Sequence, residues 1–445
     1  MFSSELDWAR HRMSSRRRGI VVGTLLMLAV AASFVSARTL AFSYWLVLAG
    51  FLLCAILDRP ATRWQAQPIP AALAFAAFFA FALISAAWAM RPDMALSKAA
   101  IGLTLVASVV LVVPLIMQET RTNLLHMSEG VRIGVCVGLL YLLIELLTHQ
   151  SIKIWLFRLL ELGPDDLNPP VFFTWQGTTL IEIAPDDLTR NITSAALFLW
   201  PAALHMNEAL SKSWRSLSSV LLVLLTAAVV LLSQNESSKL ALIVGVVTFA
   251  VSLVSLRWGR RAVAVGWTLA CLAVAPAALL AHRVGLQDAA WLQASARHRI
   301  NIWNFTAEKM LESPFVGIGA NMTYVLGPEI EDEMPNFGSE PLQKTLSIHS
   351  HSIFMQTWLE LGMVGAALLT LAGLSILGAM RSLAPVLQPY AYATFASAAA
   401  MAASSYGMWQ AWFMAAFALC ALLFAVGGAV LLSTRHPDAK LQSAG

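Results

Sequence analysis

The amino-acid sequence predicts an all-α polytopic membrane protein of about twelve transmembrane helices. Its 445 residues are 58% hydrophobic and only 12% charged, with a mean hydropathy of +0.70, whereas soluble domains carry about a quarter charged residues. The apolar residues are gathered into runs close to the ~20 residues that cross a bilayer as a helix. Lys and Arg stand in short clusters beside those runs, as topology determinants do. That scatter excludes nucleic acid as the reason for the net charge of +4.

The expected spans are residues 19–36, 39–57, 69–89, 97–117, 131–148, 191–209, 217–233, 239–256, 261–282, 352–379, 386–405 and 409–432. The first follows Arg16, Arg17, Arg18 and Gly19 and places Val35 and Ala37 at signal-peptidase-like spacing; with so many spans behind it, a retained helix is the favoured reading. If Arg10, Arg12 and Arg16 to Arg18 are cytoplasmic, the inside loops carry Arg59 and Arg63, Arg121 and Arg132, Lys212 and Arg215, then Arg257, Arg260 and Arg261. The short outside loops carry only Arg38, Arg91, Lys98 and Lys239. An even number of spans returns Arg435 and Lys440 to the cytoplasm, so both ends are expected inside. The organisation is then spans 1 to 9 over residues 1–282, a large outer loop over 283–351, and spans 10 to 12 with a short cytoplasmic tail over 352–445.

Two long segments fall outside, residues 149–190 and 283–351. A connection as long as the second is usually a functional element. Within it, Ile300, Trp303, Ala307, Met310 and Leu311 recur at helical spacing, and Ser313-Pro314 marks the stop. The reading is an amphipathic helix on the outer membrane surface with Arg297, Arg299, Asn301 and Lys309 on its polar side, followed by a turn at Gly317 and Gly319. In the first loop Asp165, Asp166, Asp186 and Asp187 form two similar stretches, GPDDLN and APDDLTRN. Carboxylates suit hard cations, but turn and N-cap signals are the favoured reading. Cys54, Cys136, Cys271 and Cys420 all lie in apolar runs without CxxC spacing and read as small core residues, with no disulfide framework. No metal or cofactor is expected.

The stretch HSHSIFMQTWLELGMVG, residues 349–365, sets two histidines at the outer mouth of the tenth span. A helix N-terminus disfavours imidazolium, so His351 is expected to be neutral near pH 7 and competent as a base. The alternative is a pair of interfacial histidines that cap the helix or face water. Ser352, Gln356 and Glu360 are four apart and form one polar stripe down the span. Glu360, about two turns below the mouth, needs a partner. Arg190, Lys239 and Arg299 near the same outer level are the expected ones. With a histidine, three such cations would make a pyrophosphate site; ordinary interface anchors are the other reading of Arg190 and Lys239.

His351 and Ser352, nine residues, then Gly362-Met-Val-Gly365 resemble the pattern His-[Asn/Ser/Gln]-x9-Gly-x-x-Gly of the O-antigen ligase and polymerase superfamily. Arg299, Trp303, Pro314, Gly317 and Gly319 look like its "R…W…P..G.G" stretch, and Gln356 and Glu360 match common positions. The resemblance covers roughly residues 297–366; elsewhere only helix number, hydropathy and the long ninth-to-tenth loop agree. From His349 the nine residues end at Glu360 rather than glycine, so only His351 keeps the spacing. Ser352 stands where Asn is commoner, and Lys239 where many members have Ser-Arg.

The resemblance implies a metal-independent glycosyltransferase of GT-C-like fold in the bacterial inner membrane. It would pass a glycan from an undecaprenyl-pyrophosphate carrier to a sugar hydroxyl of lipid A-core on the periplasmic face, in contact with membrane lipids and without nucleic acid. His351 would be the base, with Arg299, Arg190 and Lys239 on the pyrophosphate and Ser352, Gln356, Glu360, His349 and Trp303 in support. His349→Ala is then expected to leave most of the transfer that His351→Ala abolishes. The nearest alternative is an O-antigen or exopolysaccharide polymerase. A protein O-oligosaccharyltransferase usually carries a further domain after its last span, and a twelve-span transporter predicts two related halves around a long central loop, where this chain has a short one between spans 6 and 7.

Overall fold

A computed structural model describes residues 2–58, 69–167, 170–206, 212–329 and 349–435. Arg59, Arg63, Lys440 and residues 330–348 of the large outer loop lie outside the described residues. The helices are α1 (Phe2–Val35), α2 (Leu40–Asp58), α3 (Ile69–Ile84), α4 (Pro92–Met117), α5 (Arg121–Leu147), α6 (Ser151–Leu159), α7 (Thr189–Met206), α8 (Lys212–Leu232) and α9 (Glu236–Val254). They continue as α10 (Leu256–Leu272), α11 (Val274–Arg283), α12 (Ala294–Met310), α13 (Thr323–Glu329), α14 (Ile353–Met380), α15 (Gln388–Ser404) and α16 (Ala411–Arg435).

Each predicted span overlaps a helix, and residues 207–209 of the sixth lie outside the described residues. Among the described residues, eight helices are long and apolar enough to cross a membrane, or nine if the bent pair α10 and α11 is one span. The others differ for visible reasons. The apolar part of α8, Leu217–Leu232, is short. α7 is buried from Asn191 to Met206 and holds Asn191, Thr193, Ser194 and His205 inside, which is tolerable where protein rather than lipid surrounds a helix. The expected single span over 261–282 is instead bent by 71° at Ala273, and α11 packs on α12 through Ala278, Ala307 and Met310, joined by Met355 and Leu359 of α14.

The all-α expectation needs one amendment. Phe173–Gln176 (β1) and Thr179–Ile183 (β2) form an antiparallel hairpin around Gly177, whose φ is +61°. Its β-branched and aromatic residues beside a glycine are a hairpin signal. Of the cysteines, Cys271 and Cys420 are buried as expected, whereas Cys54 is half-buried and Cys136 exposed.

The chain divides into two compact units. The first comprises residues 1–65, 111–246 and 415–445. Here α1 lies on α5 across Gly130, Gly134 and Gly138; a Cβ on Gly130 would come within 2.0 Å of the Gly23 carbonyl oxygen, the close approach that small residues four apart permit between membrane helices. The ends predicted to be outside are bonded to one another. Asn191 accepts from the Ala37 N–H at 3.1 Å and donates to the Val35 carbonyl at 2.8 Å. Asn235 donates to the Thr189 carbonyl at 2.7 Å, and Gln150 donates to the Ile183 and Ala184 carbonyls, each at 3.0 Å. Lys153 pairs with Asp187, and Asp166 accepts from the Gly163 N–H at 2.8 Å, so these two aspartates serve local structure.

The second unit, residues 66–110 and 247–414, is built around a break in α14. Gly362 has φ 59° and ψ −159°, a region essentially reserved for glycine, and it is buried. The break frees main-chain groups that hydrocarbon cannot satisfy. The loop after α12 satisfies them. Ile318 N–H donates to the Leu359 carbonyl at 3.1 Å and Gly319 N–H to the Glu360 carbonyl at 2.9 Å; in return Met363 N–H donates to the Pro314 carbonyl at 2.9 Å and Val364 N–H to the Phe315 carbonyl at 3.1 Å. The approach needs glycine on both sides. A Cβ on Gly362 would lie 2.4 Å from the Phe315 carbonyl carbon, and one on Gly317, φ +69°, 2.3 Å from the Glu360 carbonyl carbon.

The same loop is tied to the end of α3: Ala320 N–H donates to Ser85 Oγ at 2.9 Å, and Trp88 Nε1–H donates to the Gly317 carbonyl at 3.1 Å. Gly362→Ala and Gly317→Ala should each cost about 3 kcal/mol or more through backbone strain and overlap. Gly378→Ala on the same helix, with nothing within 4 Å of its added Cβ, should be neutral or gain up to about 1 kcal/mol. Thermal unfolding of the purified variants in one detergent checks the contrast.

Candidate functional site

The four residues ahead of α14 are each fastened. Ser352 is the N-cap, extended at φ −153° and ψ 123°, and its Oγ accepts from the Met355 N–H at 3.4 Å. Ser350 Oγ donates to the Ser352 carbonyl at 3.0 Å, and Trp303 Nε1–H of α12 donates to the Ser350 carbonyl at 2.9 Å. His351 sits between them at φ 54°, an uncommon left-handed conformation for a residue other than glycine. Its N–H donates to His349 Nδ1 at 3.2 Å, and the two rings meet edge to face with centroids 4.3 Å apart.

His351 Nδ1 lies 3.0 Å from the Ser405 carbonyl oxygen. A carbonyl oxygen only accepts, so Nδ1 carries the proton and the Nε2 lone pair is left for another proton. Burial pushes the His351 pKa down to about 4, and the Arg299 guanidinium adds to the effect, because both disfavour the charged ring. Burial first and Arg299 second thus favour the neutral imidazole. Arg299 and Trp303 share α12 and are both half-buried. The predicted apolar face of this helix buries Ile300, Ala307 and Met310, but Leu311 is 72% exposed, since α12 has ended at Met310.

Beneath the mouth, the predicted stripe is present and its function differs from the expectation. Glu360 is fully buried, and its partners are neutral donors rather than basic side chains. Its carboxylate accepts from the Asn321 N–H at 2.7 Å, the Thr323 N–H at 3.1 Å and Gln356 Nε2 at 2.9 Å, and from Trp409 Nε1–H. Gln356 Oε1 accepts from the Met408 N–H at 2.8 Å. Glu360 and Gln356 thus hold the segment 405–410, whose Ser405 carbonyl meets His351. Ser405, Met408, Trp409, Asn321 and Thr323 escape a sequence reading because most of them act through main-chain atoms. The polar interruption SSYGMWQ between two apolar runs was the available signal.

Arg190 and Lys239 belong to the first unit, in the opening turns of α7 and α9. Asn235, which bonds the Thr189 carbonyl and Thr193 Oγ1, brings those two turns together. Lys239 Nζ pairs with Glu236 at 2.7 Å.

Residues 221–370 match the family model described as O-Antigen ligase. A protein of Rickettsia conorii named "Putative polysaccharide ligase" is 32% identical over 124 residues, 27% of this chain and 29% of that protein. Proteins of the same printed name from Rickettsia typhi and Rickettsia prowazekii are each 30% identical, over 122 and 124 residues, again covering 27% of this chain and 29% and 30% of theirs. The match spans under a third of the length of these relatives. Residues 221–370, which hold the interlocked glycines, Arg299 and His351, are thus the part of the chain that is similar to the O-antigen ligase family.

Proposed function

We propose that the chain is an O-antigen ligase, a membrane glycosyltransferase of GT-C-like fold that joins a glycan from undecaprenyl-pyrophosphate to a sugar hydroxyl of lipid A-core. The observation that carries the reading is His351: a half-buried imidazole whose Nδ1 proton is committed to Ser405, with Arg299 acting on it. Twelve spans, both termini cytoplasmic and a periplasmic site in the inner membrane complete the proposal. Its support is that the junctions expected outside are bonded to one another within each unit, at Val35, Gln150, Asn191 and Asn235 in the first and at Ser85, Gly317, His351 and Ser405 in the second.

In this reading Nε2 of His351 takes the proton of the acceptor hydroxyl as its oxygen attacks the anomeric carbon. The bond from that carbon to the pyrophosphate oxygen breaks, and undecaprenyl pyrophosphate leaves with the electron pair. Arg299, which acts on His351 within the same unit, neutralises its charge. Pyrophosphate is a good leaving group, so positioning and charge neutralisation supply most of the acceleration, and the step needs no metal. The donor pyrophosphate offsets Arg299 and favours imidazolium, raising the pKa of His351 when the donor binds.

Expression in a strain lacking its own O-antigen ligase should restore long-chain lipopolysaccharide on a gel, and the His351→Ala variant should not. Absence of ladders together with accumulated lipid-linked glycan would sink the ligase reading. The pH dependence adds a second check. With the free-enzyme pKa of His351 near 4, the acid limb of kcat/KM should lie well below the ordinary histidine value of about 6.5, and that of kcat higher, because the first reports the free enzyme and the second the complex. Arg299→Gln removes a like charge, so the kcat/KM limb should move to higher pH; a limb that stays in place would separate Arg299 from His351.

A further inference from the structure

We propose that His349 is a positioning residue for the transfer: its Nδ1, by accepting the His351 main-chain N–H, holds the left-handed backbone that aims the His351 ring. This rests on the proposed role of His351 as the base. A left-handed residue other than glycine is strained and persists only where its surroundings over-determine it. Two hydrogen bonds of His351 oppose that strain, its N–H to His349 Nδ1 at 3.2 Å and its Nδ1 to the Ser405 carbonyl at 3.0 Å. Without the first, φ relaxes towards negative values, the Cβ swings, and the ring leaves Ser405 and loses its orientation.

The His349 ring is well placed for this task. It is 8% exposed and packs edge to face on the ring it orients. On another side stands Gly407, where a Cβ would come within 2.8 Å of His349 Cβ and 3.0 Å of its Cγ. An N–H donates only to an unprotonated nitrogen, so His349 Nδ1 offers its lone pair. The bond from a side-chain acceptor to the N–H two residues on is the closure that Asn and Asp make in Asx-turns. His349 therefore acts as an Asx residue would, in the same 405–410 environment that Gln356 and Glu360 hold.

This geometry replaces the expectation that His349→Ala leaves most of the activity, and it supplies a selective test. Asn places Oδ1 as many bonds from Cα as histidine places Nδ1, whereas the acceptor of Gln is one atom farther out. Initial rates with an undecaprenyl-pyrophosphate-linked glycan and lipid A-core are measured for the unaltered chain and for His349→Ala, His349→Gln, His349→Asn and His351→Ala, each purified in one detergent. His349→Ala and His349→Gln should lower kcat by ~10- to 100-fold with KM within about twofold, and His349→Asn should recover most of kcat. Equal rates in all three His349 variants, equal loss in all three, or failure of all three to fold would overturn the inference. Should alanine alone not fold, the Asn and Gln pair decides the matter by the same criterion. Transfer retained by His351→Ala, or absent from the unaltered chain, would instead remove the reading on which the inference rests.

Discussion

The second unit depends on one constraint, the satisfaction of main-chain groups released where α14 breaks at Gly362. In hydrocarbon each unpaired N–H or C=O costs several kcal/mol, so a buried break survives only if another backbone comes close enough to replace the lost bonds. The loop 314–319 does so with four reciprocal hydrogen bonds, and the two backbones can approach only because Gly317 and Gly362 lack a Cβ at the crossing. The spacing of glycines in the two motifs thus has a mechanical meaning. They are the two faces of one contact, separated in the chain by part of the large outer loop and joined again in the fold.

That contact in turn builds the mouth of α14. The loop that repairs the break continues into Asn321 and Thr323, whose N–H groups reach Glu360. The carboxylate also takes Gln356 and Trp409, and Gln356 takes Met408. The segment whose Ser405 carbonyl holds His351 is therefore anchored to the same turn of helix that carries the break. A buried carboxylate in a membrane helix usually invites an ion-pair explanation. Here four neutral donors satisfy it, and its product is the placement of the loop that sets the tautomer of the histidine above.

His351 shows how much of a candidate base's character comes from its surroundings. Its charge state derives from burial and from Arg299, its tautomer from a carbonyl 54 residues away, and its backbone from an acceptor two residues before. Trp303 ties the α12 helix to the same segment through the Ser350 carbonyl, which places Arg299 and His351 in one electrostatic environment.

The sequence by itself determined that the chain is built of apolar helices and where they lie, because a bilayer asks only for length and hydropathy; of the twelve expected spans, eight helices among the described residues, or nine with the bent pair, are long and apolar enough to cross. It also determined which histidine keeps the glycine spacing, and the stripe Ser352, Gln356 and Glu360, because helical periodicity is local. The hairpin at residues 173–183 departs from the all-α expectation, although its β-formers around Gly177 are a hairpin signal. Only the tertiary structure decided the bend at Ala273, the neutral partners of Glu360 and the hydrogen bond from the His351 N–H to His349. Those outcomes turn on main-chain carbonyls and N–H groups, which nearly every residue type carries alike, and on contacts between residues far apart in the chain. Composition and spacing cannot reveal such pairings; close packing of two backbones around absent side chains does.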